Sequence, residues 1–267
     1  GIMERNNFSV AAGFGSQPGR QGIFGTFAAF QEMVISEITM ARLNQANVLA
    51  HFSHSGVDDM ADNTCHFGIN NFFADNGLAE HDRTRLYFPA DALQLEAILR
   101  RVFPEPGLRF VYSTRSGTPF ILDEQGNRRF GEGYTFTPDT DEVIRPGRDG
   151  WIVSYGEMLY RCLHVVELLR EEGVEIGLVN KPVLNVVDEA MLATLGTSPM
   201  VLVVETQNVR TGLGSRFGSW LLERGYAPKF GFMGSWKDGQ GGLGEQIPYQ
   251  GLGTEAIRER VLQLCQG

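Results

Sequence analysis

Short apolar runs alternate with longer segments of helical periodicity along most of the chain, and no other feature limits the fold as tightly. "ANVLAHF" (46–52), "GLRFVYST" (107–114), "WIVSYG" (151–156), "VEIGLVN" (174–180), "MVLVVE" (200–205) and "KFGFMG" (229–234) are brief, apolar and flanked by polar or glycine-bearing turns. They read as buried strands. Between them lie "GTFAAFQEMVISEITMARL" (25–43), "DALQLEAILRRVF" (91–103), "EMLYRCLHVVELLREEG" (157–173), "DEAMLATLG" (188–196), "GSRFGSWLLERGY" (214–226) and "TEAIRERVLQLCQ" (254–266), which read as helices. In the first, Thr26 is the expected cap, with Phe27, Phe30, Val34, Ile38 and Ala41 on one face. In the segment 157–173, Leu159, Cys162, Leu163, Val166 and Leu169 share a face and Gly173 stops the helix. Strands alternating with helices predict an α/β protein with largely parallel sheets covered on both faces.

The 267 residues fit two domains of ordinary size. Residues 117–150 are rich in glycine, proline and charge, so a linker is expected there, centred on 126–147, with room for a hairpin. The formal net charge of −9 argues against nucleic acid or an anionic membrane as partner. An anionic small molecule would need local cations working against that field. Cys65, Cys162 and Cys265 are scattered and odd in number, which implies a reducing, cytoplasmic compartment without structural disulfides. No apolar run approaches the ~18 residues of a membrane helix. "GIMERNN" does not read as a natural start, so further chain is expected upstream or on a separate polypeptide.

The letters of "GQGGLG" (239–244) match a dinucleotide fingerprint, but Pro248 in the following "EQIPYQG" argues against the helix that such a loop must open, leaving a surface turn. "GLGSRFG" (212–218) enters a helix, and its glycines suit close packing better than an anion site. No metal-ligand spacing occurs on this chain. The loop "FSHSGVDDMADNTCHFG" (52–68) is different, because with His51 just ahead of it three of the five histidines fall within residues 51–66. Imidazoles titrate near neutrality, so a cluster of them suggests a site. Arg115 closes a strand, at the edge where parallel α/β sheets take ligands.

"GIMERNNFSVAAGF", "GTFAAF", the histidine loop, "YFPADALQLEAIL" and "STR", in this order and spacing, resemble the pyrimidine-binding domain of transketolases. "GWIVSYGEMLYRCLHVVELLREEG" through "VLVVETQNVRTGLGSRFGSWL" looks like the C-terminal domain of the same thiamine diphosphate superfamily. The resemblance implies two three-layer α/β domains, the first at 1–125 without its opening strand and the second at 148–267. It implies that Glu4 binds N1′ of the cofactor's aminopyrimidine and favours its imino tautomer. Phe27 and Phe30 match an aromatic pair against the pyrimidine ring, and Met33 stands where a third aromatic is expected. His54 and His66 match two histidines of the substrate channel, and Asp62 the aspartate between them. The first histidine would help hold a sugar phosphate, the aspartate receive a substrate hydroxyl, and the second histidine lie near the reacting oxygens. Arg115 matches an arginine that offers its fork to a phosphate.

The implied activity is transfer of a two-carbon ketol unit between sugar phosphates, with thiamine diphosphate and Mg²⁺. The diphosphate and metal ligands would come from a missing diphosphate-binding domain or subunit, in a homodimer or heterotetramer. The loop departs from the family pattern: "ADNTCHFG" lacks a proline and a glycine found there and carries the bulk of Phe67. Alternative readings are a 1-deoxyxylulose-5-phosphate synthase, the β subunit of a 2-oxo acid dehydrogenase E1, and a degenerate, non-catalytic homologue. The set His54, Asp62, His66 and Arg115 favours sugar-phosphate chemistry over the E1 reading.

Overall fold

The structure, a computed structural model, describes residues 3–58, 63–75, 83–243 and 245–266. It holds two sheets. Strands β1 (Gly22–Phe27), β2 (Val48–Ser53), β3 (Thr84–Tyr87) and β4 (Leu108–Tyr112) form a parallel sheet in the order β1-β2-β4-β3. Helix α1 (Glu4–Gly15) packs on β1 through small residues. A Cβ on Gly22 would stand 2.0 Å from the Ala11 carbonyl oxygen, and one on Gly15 would stand 2.1 Å from that of Asn47. Only glycine permits this approach, which brings the C-terminal end of α1 to the start of β1. The helix therefore runs back along the strand, and Glu4 at its N-terminal end lies towards the strand's carboxyl end. The edge-on pair Phe8–Phe24, 5.2 Å between centroids, marks the midpoint.

The stretch 25–43 is not one helix. Gly22–Phe27 pairs in parallel with β2, residues 28–34 form a 3-10 run, and only Ile35–Leu43 is α-helical (α2). Thr26 thus lies in a strand and caps nothing. Phe27 ends that strand with 40% of its surface exposed instead of lying on a buried helical face. Local periodicity loses here to sheet pairing, since "GIFGTF" finds its ladder only in the distant β2. Helix α3 (Ala92–Val102) forms as expected, with the Asp91 carboxylate accepting from the Leu93 and Gln94 amides at 2.9 Å and with Ile98 and Val102 buried.

The second sheet has the order β5-β7-β6-β8-β9, built from β5 (Glu142–Arg145), β6 (Gly150–Ser154), β7 (Ile176–Asn180), β8 (Met200–Asn208) and β9 (Lys229–Ser235). Only β5 runs antiparallel. The stretch read as a linker carries this strand. Helices α4 (Leu159–Glu171), α5 (Glu189–Gly196), α6 (Leu213–Glu223), α7 (Gln246–Tyr249) and α8 (Thr254–Gln266) complete the unit. The α/β class expected from the alternation is borne out. Pro248 does not prevent α7, a single turn, because first-turn positions need no amide partner. The glycines of 212–218 do serve packing: Gly214 and Gly218 leave room for Phe232 and Phe230. The α6 amides are already taken, since buried Glu205 accepts from Leu213 and Gly214 N–H at 2.8 Å each. Among the described residues no helix is long and apolar enough to cross a membrane.

The two sheets pack against each other, and one apolar cluster draws on both. Phe88 N–H donates to Pro182 O at 2.9 Å, Leu184 N–H donates to Leu86 O at 3.0 Å, and Phe88 stacks on Tyr112 while meeting Tyr155 edge-on. Asp58, just past β2, pairs with Arg161 of α4 at 2.9 Å, both largely buried.

Candidate functional site

The carboxyl ends of β1, β2 and β4 meet on one side of the first sheet, and the sequence-selected residues sit there. Phe27 ends β1, His54 follows β2, and Arg115 follows β4 by three residues. Phe30 lies on the 3-10 run and His66 on a short 3-10 turn, Thr64–His66. The rings form one cluster. Phe27 stacks on His54 with 3.9 Å between centroids and on Phe30 at 5.9 Å, with the two phenyl planes within 10° of parallel. Phe30 meets the His66 ring edge-on at 5.8 Å. A partly exposed face of parallel aromatic rings is suited to a flat, apolar ring of a ligand.

His54 is held in a costly backbone conformation. Its φ of +59° lies in the left-handed region, which disfavours a Cβ by about 1–2 kcal/mol. Hydrogen bonds on either side offset this: His54 Nδ1 shares one with Ser53 Oγ at 2.9 Å, Ser55 N–H donates to Ser113 O at 2.9 Å, and Gly56 N–H donates to Gly68 O at 2.9 Å. The strained residue is the one whose ring stacks on Phe27. Strain of this kind concentrates at functional sites.

The electrostatics favour neutral imidazoles. Burial, then the Arg115 guanidinium, then His66 hold His54 below the ordinary histidine range. His51 is held down by burial and by His54, and its Nε2 shares a hydrogen bond with Ser113 Oγ at 2.8 Å. The effect of Arg115 on His54 places the exposed arginine within electrostatic reach of the ring. His66 Nδ1 lies 3.2 Å from the exposed Cys65 sulfur.

Glu4 opens α1, and its neighbour Arg5 bonds Glu37 at 2.8 Å in the first turn of α2. That contact sets the start of α1 beside the segment bearing Phe30. Glu4 Oε2 is buried without a hydrogen-bond partner among the described residues. An orphaned carboxylate oxygen is expensive to bury, so a donor from a ligand fits it. Asp62 lies outside the described residues. Met33, where a third aromatic was expected, is half exposed.

Several polar residues around the cluster were not visible as site residues in the sequence. Gln31 is fully buried behind the rings, accepts from Tyr112 O–H at 2.5 Å and donates to Asn71 O at 2.9 Å. Gln207 on β8 donates to Gly68 O at 3.0 Å and accepts from Asn71 N–H at 3.2 Å. The available signal was the polar triplet Glu205, Thr206 and Gln207 closing the apolar run "VLVV" at a strand's carboxyl end. A cavity of about 230 Å³ opens beside the cluster, lined by Ser55, Ser113, Thr114, Gly156 and Glu157 among others. Glu157 is buried there with its carboxyl pushed up to about 7, and Thr206 O–H donates to it.

Two α/β units gather aromatic, imidazole and guanidinium groups at the carboxyl ends of parallel strands, where α/β proteins as a class take their ligands. The comparisons then narrow the class. A family model described as "Transketolase, C-terminal domain" matches residues 140–229. A transketolase family protein of Sinorhizobium fredii is 28% identical over 142 residues, 52% of this chain and 39% of that one. A transketolase C-terminal section of Methanocaldococcus jannaschii is 22% identical over an alignment of 268 residues, covering 98% of this chain and 81% of its own length. Among solved structures, a split-gene transketolase described as an inactive β4 tetramer superposes with a TM-score of 0.82 at 23% identity, over 100% of this chain and 82% of that one. These findings bear out the transketolase resemblance, and the last of them shows the shared fold. The chain spans 33–34% of the length of the animal transketolases it matches.

Proposed function

We propose that this chain supplies the pyrimidine-binding half of a thiamine diphosphate site and takes part in two-carbon ketol transfer between sugar phosphates. The observation that carries the reading is the ring cluster Phe27–Phe30–His54–His66, coupled to Arg115, at the strand ends. Residues 1–125 then form the pyrimidine-binding domain and 148–267 the transketolase C-terminal domain. The diphosphate and its Mg²⁺ are held by a partner domain or subunit. The M. jannaschii relative, described as a C-terminal section, and the split-gene structure support a division between chains. In such a division this chain on its own is inactive, as the split-gene β4 tetramer is described to be.

Bound thiamine diphosphate supplies the carbon nucleophile that carries the two-carbon unit. Glu4 gives its unpartnered oxygen to the aminopyrimidine and favours the tautomer able to take up a proton. Phe27 and Phe30 fix the ring's plane. His66 exchanges a proton with the reacting oxygens of the sugar, and His54 and Arg115 receive the phosphate. Asp62 accepts a substrate hydroxyl. Against a net charge of −9, the Arg115 cation gives the site its local attraction for an anion. A sugar-phosphate synthase of the deoxyxylulose type would use the same residues. The E1 reading has no need of the Arg115–His54 pair. A degenerate homologue would bind no cofactor.

The test is Glu4→Gln in the complex reconstituted with the diphosphate-binding partner. The neutral amide cannot favour the tautomer, so kcat for ketol transfer falls by roughly a hundredfold or more while the circular dichroism spectrum stays unchanged. Near-normal kcat would leave Glu4 without a part in the reaction and sink the proposal.

A further inference from the structure

The glycine-rich stretch after β9, which does not read as a nucleotide loop, reaches the histidine loop. Thr64 Oγ1 accepts from the Gly239 amide at 2.8 Å and donates to Asp238 Oδ1 at 3.3 Å. The Phe67 ring lies against Gly239 so closely that a Cβ there would stand 2.3 Å from the ring carbon Cζ. Thr64 and Phe67 bracket His66 in the chain, and Phe67 is buried in the core of the second unit. The strap is firmly rooted. Buried Gln250 accepts from the amides of Trp236 and Lys237 at 3.0 and 2.9 Å and returns its own amide to Lys237 O at 2.8 Å. A second anchor acts further along, where Asn208 N–H donates to Ile69 O at 2.9 Å and Thr211 donates to Asn70. The turn that carries His66 is therefore held from the second sheet's unit.

We infer that residues 236–239 are a positioning strap: Gln250, Asp238 and Gly239 set the place of His66 relative to Phe30 and so tune the fit of the sugar acceptor's carbonyl and hydroxyl oxygens. Asp238 and Gly239 act through the turn that carries His66. The mechanical link stands on the contacts above, and its consequence for acceptors rests on the role proposed for His66. Residues separated by more than 170 positions thus share one task. The glycine at 239 is explained by closeness to a ring, not by approach to a phosphate.

Cys65, exposed and adjacent to His66, reports on the turn without any assay of turnover. Cys162 is buried, so a Cys265→Ser background leaves one reactive thiol for a soluble aromatic disulfide, which Cys65 thiolate attacks to form a mixed disulfide and release the coloured aryl thiolate. Gly239→Ala, which drives a methyl into Phe67, and Thr64→Val, which removes both strap hydrogen bonds, should each speed this reaction by roughly tenfold as the turn opens. Thr64→Ser should keep the original rate, and Gly239→Ala with Phe67→Leu should return most of the way to it. Gly241→Ala, which meets nothing within 4 Å, should have no effect. If Gly239→Ala does not fold, the Thr64 pair decides. Folded Thr64→Val with an unchanged Cys65 rate overturns the strap. In the reconstituted complex, Thr64→Val should raise KM for the acceptor about tenfold and leave the donor half-reaction nearly unchanged. A faster thiol with unaltered acceptor KM overturns the tuning role. A faster thiol in a complex whose parent shows no ketol transfer at all keeps the strap and sinks the function proposed above.

Discussion

Tyr112→Phe isolates the hydrogen bond that holds the aromatic segment of the site to the end of β4. Tyr112 is fully buried at the end of β4, stacked on Phe88 at 4.3 Å and on Phe52 at 5.5 Å. Phenylalanine keeps those ring contacts, so the packing loss is small. What remains is Gln31 Oε1, which loses its donor in a place water cannot reach, since Gln31 is 0% exposed. An orphaned buried acceptor costs about 1–3 kcal/mol. Taking about 2.1 cal/mol/K per residue for the unfolding entropy, that cost lowers the melting temperature of a 267-residue chain by roughly 2–5 °C if it melts as one unit. Burial pushes the Tyr112 hydroxyl well above its ordinary range, so the loss should not vary with pH around neutrality. Urea unfolding of the isolated chain measures it, with an unchanged slope expected. Replacing both partners, Tyr112→Phe with Gln31→Met, should cost less than the sum of the single changes, because the Gln31 acceptor is no longer stranded and only Asn71 O loses its donor. A single-mutant loss below about 0.5 kcal/mol, the range of a neutral surface change, would refute the reasoning.

Arg115→Met should raise the titration midpoint of His54 towards the ordinary histidine value, by removing the cation that opposes its protonation. Proton NMR of the histidine ring signals reads this, and an unmoved midpoint would separate Arg115 from the cluster. Glu157, pushed by burial up to about 7 from 4.5, keeps a proton in the folded chain that the unfolded chain releases earlier. Its contribution to stability is therefore present below pH 4.5, declines as pH rises to about 7, and is flat above. The stability of the wild type relative to Glu157→Gln should fall through that window in urea titrations; a rise would contradict the assignment. Lys181 and Asp141 form a pair 1% and 5% exposed, 3.0 Å apart, so Lys181→Met strands a buried carboxylate and should cost about 3–5 kcal/mol in the same assay. Adding Asp141→Leu should recover part of the loss, and no recovery would mean that Lys181 acts through its bond to Val186 O alone.

Residues whose role is set by their own neighbours in the chain were readable from the sequence alone. The strand β2, the helix α3, and the alternation that makes all but β5 of the second sheet parallel follow from local apolar period and turn chemistry. His54 and His66 drew attention because three of the five histidines fall within residues 51–66, and Arg115 because it closes a strand. Residues 25–43 show the opposite case. Their helical period was real, yet a partner strand more than twenty residues away claimed "GIFGTF" for the sheet and turned Phe27 outward, onto His54. The buried bonds of Gln31 with Tyr112 and of Gln207 with Gly68, and the closure of Gly239 on Phe67, join residues 81, 139 and about 170 positions apart. No local pattern encodes such pairs, because the first depends on how the 3-10 run packs on its own sheet and the other two on how the two sheets dock. Composition and periodicity determined that this chain makes covered α/β layers with cationic and imidazole groups at their strand ends. Docking of the layers decided which of those groups touch, since a hydrogen bond or ring stack is won or lost within about an ångström, a precision that only the packed core imposes.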